Sequence, residues 1–388
     1  MDTPKIRFPG FVKNWEKNNV SELVEIIKSY SYSRNEESEY GTVSHIHYGD
    51  IHSKFNNIID NNSKLPFLKL IEIKDLVLLE KGDIILADAS EDYNGLGTTI
   101  VNLSDRKNII GGLHTFVLRP DKEKLYSLYF LNYSKTLIYK KYMQKIGTGA
   151  SVFGISKANL EKLALLIPSL EEQQKIGDFF TLLDKRIEQQ EQKIALLKDY
   201  KKAMMQKIFS QKIRFKDENG NDYPDWEEKK LGKICRVKSS QLTNNVVEEI
   251  GKYPVYGANS IVGYTENYEV NKYVSIVKDG AGVGRIAFIN NKSSVLGTLQ
   301  YLIGIEITTE FLYVLLSNVN FKLYQTGTTI PHIYFKDYSK MIIDIPCQLE
   351  QEKISSFLFA MDLNLENQEA ILNNLKEQKQ GLLRKMFV

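Results

Sequence analysis

The sequence predicts an α+β protein: two mixed α/β domains, each followed by a long helix, with the helices pairing as an antiparallel coiled coil in a pseudo-two-fold internal repeat. Three observations predict it. The decapeptide IPSLEEQQKI (167–176) returns as IPCQLEQEKI (345–354). At a constant offset of 178, without gaps, residues 167–209 match 345–387 at 16 of 43 positions, which means duplication. Both copies lack proline after the Ile-Pro pair and carry a 4-3-4-3 apolar stripe, the 3.5-residue period of a coiled coil. The segments between them are short β-branched and aromatic runs bounded by Gly, Asn and Asp, which read as strands and turns.

The elements follow in order. The first domain (1–168) opens on IRFPGFVKNWE (Ile6–Glu16), carries a strand in DIILADAS and a helical patch in KLYSLYFLNYSKTLIYKKYMQKI, and closes on IGTGASVFGISKANLEKLALLIP (Ile146–Pro168). The first long helix (169–210) places Ile176, Phe180, Leu183, Ile187, Gln190, Ile194, Leu197, Lys201, Met204 and Ile208 on one stripe. About 40 helical residues make a rod roughly 60 Å long. The second domain (211–346) opens on IRFKDENGNDYPDWE (Ile213–Glu227), has strands in YVSIVKDG and RIAFINN, and closes on TGTTIPHIYFKDYSKMIIDIP (Thr326–Pro346). The second helix (347–388) repeats the stripe as Ile354, Leu358, Met361, Leu365, Gln368, Leu372, Leu375, Lys379, Leu382 and Met386. Both stripes break at Gln190/Gln368 and Lys201/Lys379, so the two glutamines are expected near the two-fold axis, setting the register. Between their shared edges the domains show no clear counterparts: HIHYGDIHSK and LLEKGDIILADASEDYNGLGTT stand against YPVYGANSIVGYTENYEVNKYVSIVKDGAGVGRIAFINN.

With 43% hydrophobic and 26% charged residues over 388 positions, the composition is that of a soluble globular protein with room for two cores. No apolar run is long enough to cross a bilayer, and MDTPKIRFPGF lacks the apolar core of a signal peptide, so a cytoplasmic location is expected. Cys235 and Cys347 form no metal-ligand spacing, and the metal expectation is none. A formal net charge of +3 places any nucleic-acid contact in local patches or on partners.

Stretches that mimic chemistry fail on spacing. DGAGVGR (Asp279–Arg285) has glycines at 280, 282 and 284 rather than G-x-G-x-x-G, and reads as a turn bringing backbone and Arg285 towards a ligand. GASVFGIS (Gly149–Ser156) has Ile155 where a phosphate-binding lysine belongs. HIHYGDIH gathers His45, His47, Asp50 and His52 without completing a metal shell, and its polar groups suit a DNA groove as well. The acidic residues of YPDWEEK lie too close together for separate strands to present them as a nuclease site. There is no Pro-Pro for an Asn-Pro-Pro-Tyr loop, and no catalytic residue is expected.

Two diverging domains alternating with two repeated helices, IPSLEEQQKIGDFFTLLDKRIEQQEQKIALLKDYKKAMMQKIF, and the openings IRFPGFVKNW and IRF…YPDW together resemble the specificity (S) subunits of type I restriction–modification systems. HYGDIH and GDIILADASEDYNGLGTT resemble segments of their target recognition domains. The resemblance covers the whole chain. It implies a non-catalytic DNA-reading subunit in phage defence, bacterial, cytoplasmic and nucleoid-associated. Each recognition domain reads one half of a bipartite double-stranded DNA target. The helices set the gap and dock two modification (methyltransferase) subunits, and restriction subunits join them. S-adenosylmethionine, ATP and Mg are expected on those partners, with no cofactor in this chain. The candidate readers are polar loop residues of the non-repeated segments: Tyr48, Asp50, His52, Ser90, Glu91, Tyr93, Asn94 and His114 in the first domain, and Tyr256, Asn259, Lys278, Arg285, Gln300 and His332 in the second. Thr148 and Thr328, in Gly147-Thr148-Gly149 and Gly327-Thr328-Thr329, are expected to place backbone near phosphates. A methyltransferase or nuclease acting alone and a coiled-coil protein–protein adaptor that reads no DNA are the rival readings.

Overall fold

Each Ile-Pro pair ends a strand and starts a helix. Strand Ala164–Ile167 runs into Pro168 and helix Leu170–Phe209; strand Ile342–Ile345 runs into Pro346 and helix Gln348–Met386. Proline biases the preceding residue towards extended backbone, so the switch is fixed at that bond. The computed structural model describes residues 3–55, 57–69 and 75–388. It divides into two units, Met1–Glu191 with Ala370–Val388, and Gln192–Glu369. The division cuts through both long helices: each unit takes one domain, the adjoining half of one helix and the far half of the other.

In the first unit, Glu16–Asn19 pairs antiparallel with Ala164–Ile167, tying the start of the domain to its end. One sheet runs in the order Val24–Ile27, Thr115–Pro120, Ile84–Ala87, Thr99–Asn102, Ile58–Ile59. A second runs Ile109–Gly111, Ser44–Ile46, Phe67–Leu68, Glu37–Ser38. In the second unit, Glu227–Lys230 pairs with Ile342–Ile345. Its main sheet runs Cys235–Ser239, Leu299–Gly304, Tyr273–Val277, Ile286–Ile289. Its second sheet runs Ile261–Thr265, Tyr253–Tyr256, Ser294–Val295.

These orders correct the expectation that the domain interiors lack counterparts. GDIILADASEDYNGLGTT and YVSIVKDGAGVGRIAF occupy the same place. Gly97 N–H donates to Ala87 O at 3.1 Å and Thr98 N–H to Gly95 O at 3.1 Å; Gly284 N–H donates to Val277 O at 2.9 Å and Arg285 N–H to Gly282 O at 3.0 Å. Gly97 and Gly284 both adopt left-handed φ, 75° and 80°. The common Gly-x-Gly is a backbone requirement; loop lengths and side chains around it have drifted, which hid the match from the sequence.

The identical residues of the repeat do matching work. Arg7 of the first IRF forks onto buried Glu172 at 2.9 and 2.6 Å, and Arg214 of the second onto buried Glu350 at 3.3 and 2.8 Å, joined by Trp226 Nε1 at 3.0 Å. Gln173 donates to Pro168 O at 3.0 Å and accepts from Tyr126 N–H at 2.9 Å; Gln351 donates to Pro346 O at 2.9 Å and accepts from Thr308 N–H at 3.1 Å. Each glutamine thus ties a long-helix start to the start of the domain's own helix, Ser127–Tyr133 or Thr309–Ser317.

Within each unit the two helix halves run antiparallel. Asp184 pairs with Lys379 and Glu191 with Lys376 in the first; Asp362 pairs with Lys201 and Glu369 with Lys198 in the second. Every one of these eight residues is identical at the offset of 178, so each ion pair has its counterpart in the other unit. The whole stripe in both helices is buried or half-buried, while Leu182, Leu196 and Leu363 beside it are exposed. At the ends, Phe180 and Phe387 pack with Tyr129 and Tyr133, and Ile208 and Phe209 pack with Phe311. The ion-pair register puts Gln190 about level with Leu375, and Gln368 about level with Leu197. Reciprocal ion pairs carry the register within each unit.

Lys135, which the repeat does not contain, adds a second ammonium to Asp184 at 2.9 Å. Burial pushes the Lys135 amine down to about 8, with Asp184 opposing that fall and Lys379 adding to it. Burial alone would push the Asp184 carboxyl up, but Lys135 and Lys379 beside it hold it below the usual carboxylate range.

Candidate nucleic-acid interface

In each domain, the hairpin loop of the main sheet meets two further segments. In the first, the loop after Ile84–Ala87 lies between His114 and the turn closed by Thr148 and Gly154. Asp88 N–H donates to His114 O at 3.1 Å, and Ile155 N–H donates to Asp88 O at 2.8 Å. In the second, Lys278 N–H donates to Thr298 O at 2.9 Å and Ile333 N–H to Lys278 O at 2.9 Å. The same backbone frame therefore presents Asp88 and His114 in one domain, and Lys278 and Thr298 in the other.

The first domain's candidates largely converge here. Exposed His114 sits in the left-handed region at φ 53°, unusual for a residue with a Cβ, and its Nδ1 lies 3.2 Å from Asp88 Oδ1. Burial raises the Asp88 carboxyl, with His114 pulling the other way. The Tyr48 ring meets His114 edge-on at 5.4 Å and His52 at 6.2 Å. Ser90 Oγ and His52 both crowd Gly95, which leaves no room there for a side chain. The exposed Tyr93 ring stacks on Phe153 at 3.8 Å. Glu91 and Asn94 are exposed on the same loop, and Thr148 is exposed at the turn.

Two first-domain candidates turn inward. Asp50 is fully buried and paired with Arg34 at 3.0 Å and Lys54 at 2.9 Å, because His47 caps the helix Tyr48–Ser53 and rotates Asp50 under it. Ser90 is buried and accepts from Asp92 N–H at 3.3 Å, holding the loop's shape. Both position the neighbouring residues rather than offering their own polar atoms. His45 is buried against Glu37 at 3.2 Å, and burial lowers the titration of both His45 and His47. Among the described residues no group of three His, Cys, Asp or Glu side chains is placed to hold a metal ion.

In the second domain, Arg285 donates to Asn259 Oδ1 and to Ala258 O at 3.4 Å, joining the glycine loop to the turn after Tyr253–Tyr256. Tyr256 OH accepts from Asn291 at 3.2 Å. His332 Nδ1 lies 2.7 Å from Asp279 Oδ1, and Lys278 Nζ lies 3.7 Å from Asp279 Oδ2. Thr328 is exposed on the turn closed by Thr326 and His332. Gln300 stands apart: it lies in the sheet and donates to Ser239 Oγ at 3.0 Å. Sequence reasoning missed Asp88, Asp279 and Phe153. The offset of 178 continues back through Gly154/His332 to Thr148/Thr326, and following it would have drawn attention to the residues those turns rest on.

The arrangement offers aromatic edges, His–Asp pairs and cations on loops carried by a rigid sheet, which suits reading hydrogen-bonding groups on a partner.

Comparison with known proteins bears on the whole chain. The family model described as "Type I restriction modification DNA specificity domain" matches twice, over residues 12–199 and 223–377. A putative type I restriction enzyme MjaX specificity subunit from Methanocaldococcus jannaschii is 25% identical over 233 residues, 57% of this chain and 52% of that protein. The chain thus spans about half the length of that relative. The MjaVIII specificity subunit of the same organism is 23% identical over 79% of this chain and 78% of its own. The Escherichia coli EcoDI specificity subunit is 26% identical over 41% of this chain and 37% of its own. In fold, the crystal structure of a type I restriction-modification system S subunit from M. genitalium superposes with a TM-score of 0.65 at 19% identity, over 100% of this chain and 99% of that one. A chain from a study of complex assembly and conformational transition of the type I restriction–modification system superposes at 0.56, with 17% identity, over 98% of this chain and 99% of its own.

Proposed function

The chain belongs to the type I restriction–modification DNA specificity family, and from that premise we propose that each domain reads one half of a bipartite double-stranded DNA target. The carrying observation is the shared frame with different chemistry. Equivalent backbone positions present Asp88, His114 and Thr98 in one domain, and Lys278, Thr298 and Arg285 in the other. Acceptor-rich and donor-rich faces select different base edges, so the two domains suit two different half-sequences.

The paired helices act as the ruler between the halves and as the dock for two modification subunits. Those partners carry S-adenosylmethionine and methylate adenine, and restriction subunits with ATP and Mg join them. This chain supplies reading and spacing, and its residues take no part in bond-making. Half-sites on one face of a duplex recur about every 34–36 Å, which calls for a stiff spacer. Nothing in the described helices is long and apolar enough to cross a membrane. With a net charge of only +3, the partners supply much of the phosphate clamp, and the isolated chain binds DNA weakly and salt-sensitively.

Methylome sequencing of cells with and without the chain tests the reading. A split adenine-methylated motif that disappears with the chain is expected. An unchanged methylome, with the chain still bound to its partners, would establish an adaptor instead. Arg285→Ala should relax one base preference in one half-site by roughly 1–3 kcal/mol and leave the other half untouched.

A further inference from the structure

Around the candidate readers the two domains differ, yet one exposed feature is the same in both. In the first, Thr148 and Gly154 exchange backbone bonds at 3.1 and 2.8 Å; in the second, Thr326 and His332 do so at 2.9 and 2.8 Å. Each turn needs glycine at the second position. Gly149 has φ 143° and Gly327 φ 84°, and a Cβ on either would strike the backbone carbonyl three residues on, Val152 O or Ile330 O. Each tip is exposed and made of small or hydroxyl residues, Ala150 and Ser151 or Thr328 and Thr329. Each then presents one β-branched aliphatic, Val152 or Ile330, with more than half its surface open at 52% and 58%. Core packing explains neither side chain, since both stand more than half exposed.

Each turn also abuts the candidate readers: Phe153 stacks on Tyr93, and His332 binds Asp279. A feature kept constant beside readers that vary suits the part of the duplex that does not vary. Resting on the DNA-reading function above, we propose that both turns grip the sugar-phosphate backbone of their half-sites. Backbone amides and hydroxyls at the tip face the phosphate, and Val152 or Ile330 lies along the sugar. The contact carries no sequence information and fixes how each domain sits on its half-site.

The test uses the full chain assembled with its modification subunits, and Val152→Asp, Val152→Lys, Ile330→Asp and Ile330→Lys. Affinity for cognate and scrambled duplexes is measured by fluorescence anisotropy across a salt series. The aspartates are expected to weaken both duplexes about 10-fold and the lysines to tighten both several-fold, leaving the cognate-to-scrambled ratio unchanged. The slope of log affinity against log salt should steepen by about 1 for each lysine. An altered preference at one half-site would make the turn a reader and overturn the proposal. So would loss of co-purification with the modification subunits, which would make it a protein dock, or indifference to all four substitutions. If the wild-type assembly binds no duplex at all, the DNA-reading function falls and the proposal with it; indifferent variants of a binding assembly overturn the proposal alone.

Discussion

Removing the Arg214 guanidinium should unlatch the second unit while leaving the first intact. Glu350 is fully buried at the start of the second long helix, held by Arg214 at 3.3 and 2.8 Å and by Trp226 Nε1 at 3.0 Å. Breaking a buried pair from one side strands a desolvated carboxylate and costs about 3–5 kcal/mol. Two features of the site place the loss at the low end. The Arg214 side chain keeps 19% of its surface in water, and Trp226 remains as a donor. Arg214→Ala is therefore expected to cost about 3 kcal/mol, a shift of about 1.5 M in the urea midpoint at a slope near 2 kcal/mol/M. The chain's two tryptophans, Trp15 and Trp226, lie one in each unit, so a Trp15→Phe background leaves Trp226 fluorescence reporting the second unit alone. Adding Glu350→Gln to Arg214→Ala removes the stranded charge and should restore about half the loss. If the single and double variants unfold at the same urea concentration, the stranded-charge argument is refuted, and Arg214 acts only through packing.

Three further expectations follow from particular contacts. Lys135 titrates near 8 in the folded first unit and near 10.5 when unfolded, so the unfolded chain holds the extra proton between those values. Stability of the first unit should therefore rise with pH from about 8 towards 10.5, and Lys135→Met should remove that rise, as read from urea midpoints at pH 7.5 and 9.5. In the second unit, reversing one charge of the half-exposed Lys201–Asp362 pair should cost about 1 kcal/mol, and reversing both should recover most of it, as read by hydrogen exchange in residues 192–209. Gly284→Ala forces a Cβ onto a left-handed residue and within 2.6 Å of Phe321 Cβ, and should lower the thermal midpoint by a loss of about 1–3 kcal/mol; Gly280→Ala, with open space around its Cβ, should cost less.

Legibility differed between helices and domains for a physical reason. The stripe was readable because burial along a helix recurs at a fixed period, so Ile176 to Ile208 and Ile354 to Met386 could be placed before any contact was known. The match between DIILADAS and YVSIVKDG was not readable, because a strand asks only for alternating bulk, and the loops between carry different residues by function. Among the site residues, Tyr48, His52, Tyr93 and His114 were found as polar loop residues; the structure brings Tyr48, His52 and His114 into one cluster and stacks Tyr93 on Phe153. Asp50 and Ser90 looked the same in sequence, yet a histidine cap and a tight turn bury them.

The sequence alone determined the duplication, the offset of 178, the helix boundaries at Ile167-Pro168 and Ile345-Pro346, and the buried face of each helix. These follow from local rules: proline geometry, helical period and identity along one chain. Only the tertiary structure decided what the repeated charges are for. Asp184 and Lys201 recur as Asp362 and Lys379, and no local rule says that each aspartate pairs with the lysine of the other copy. That exchange depends on the register of two helices running in opposite directions, a relation between distant segments that long-range packing alone sets.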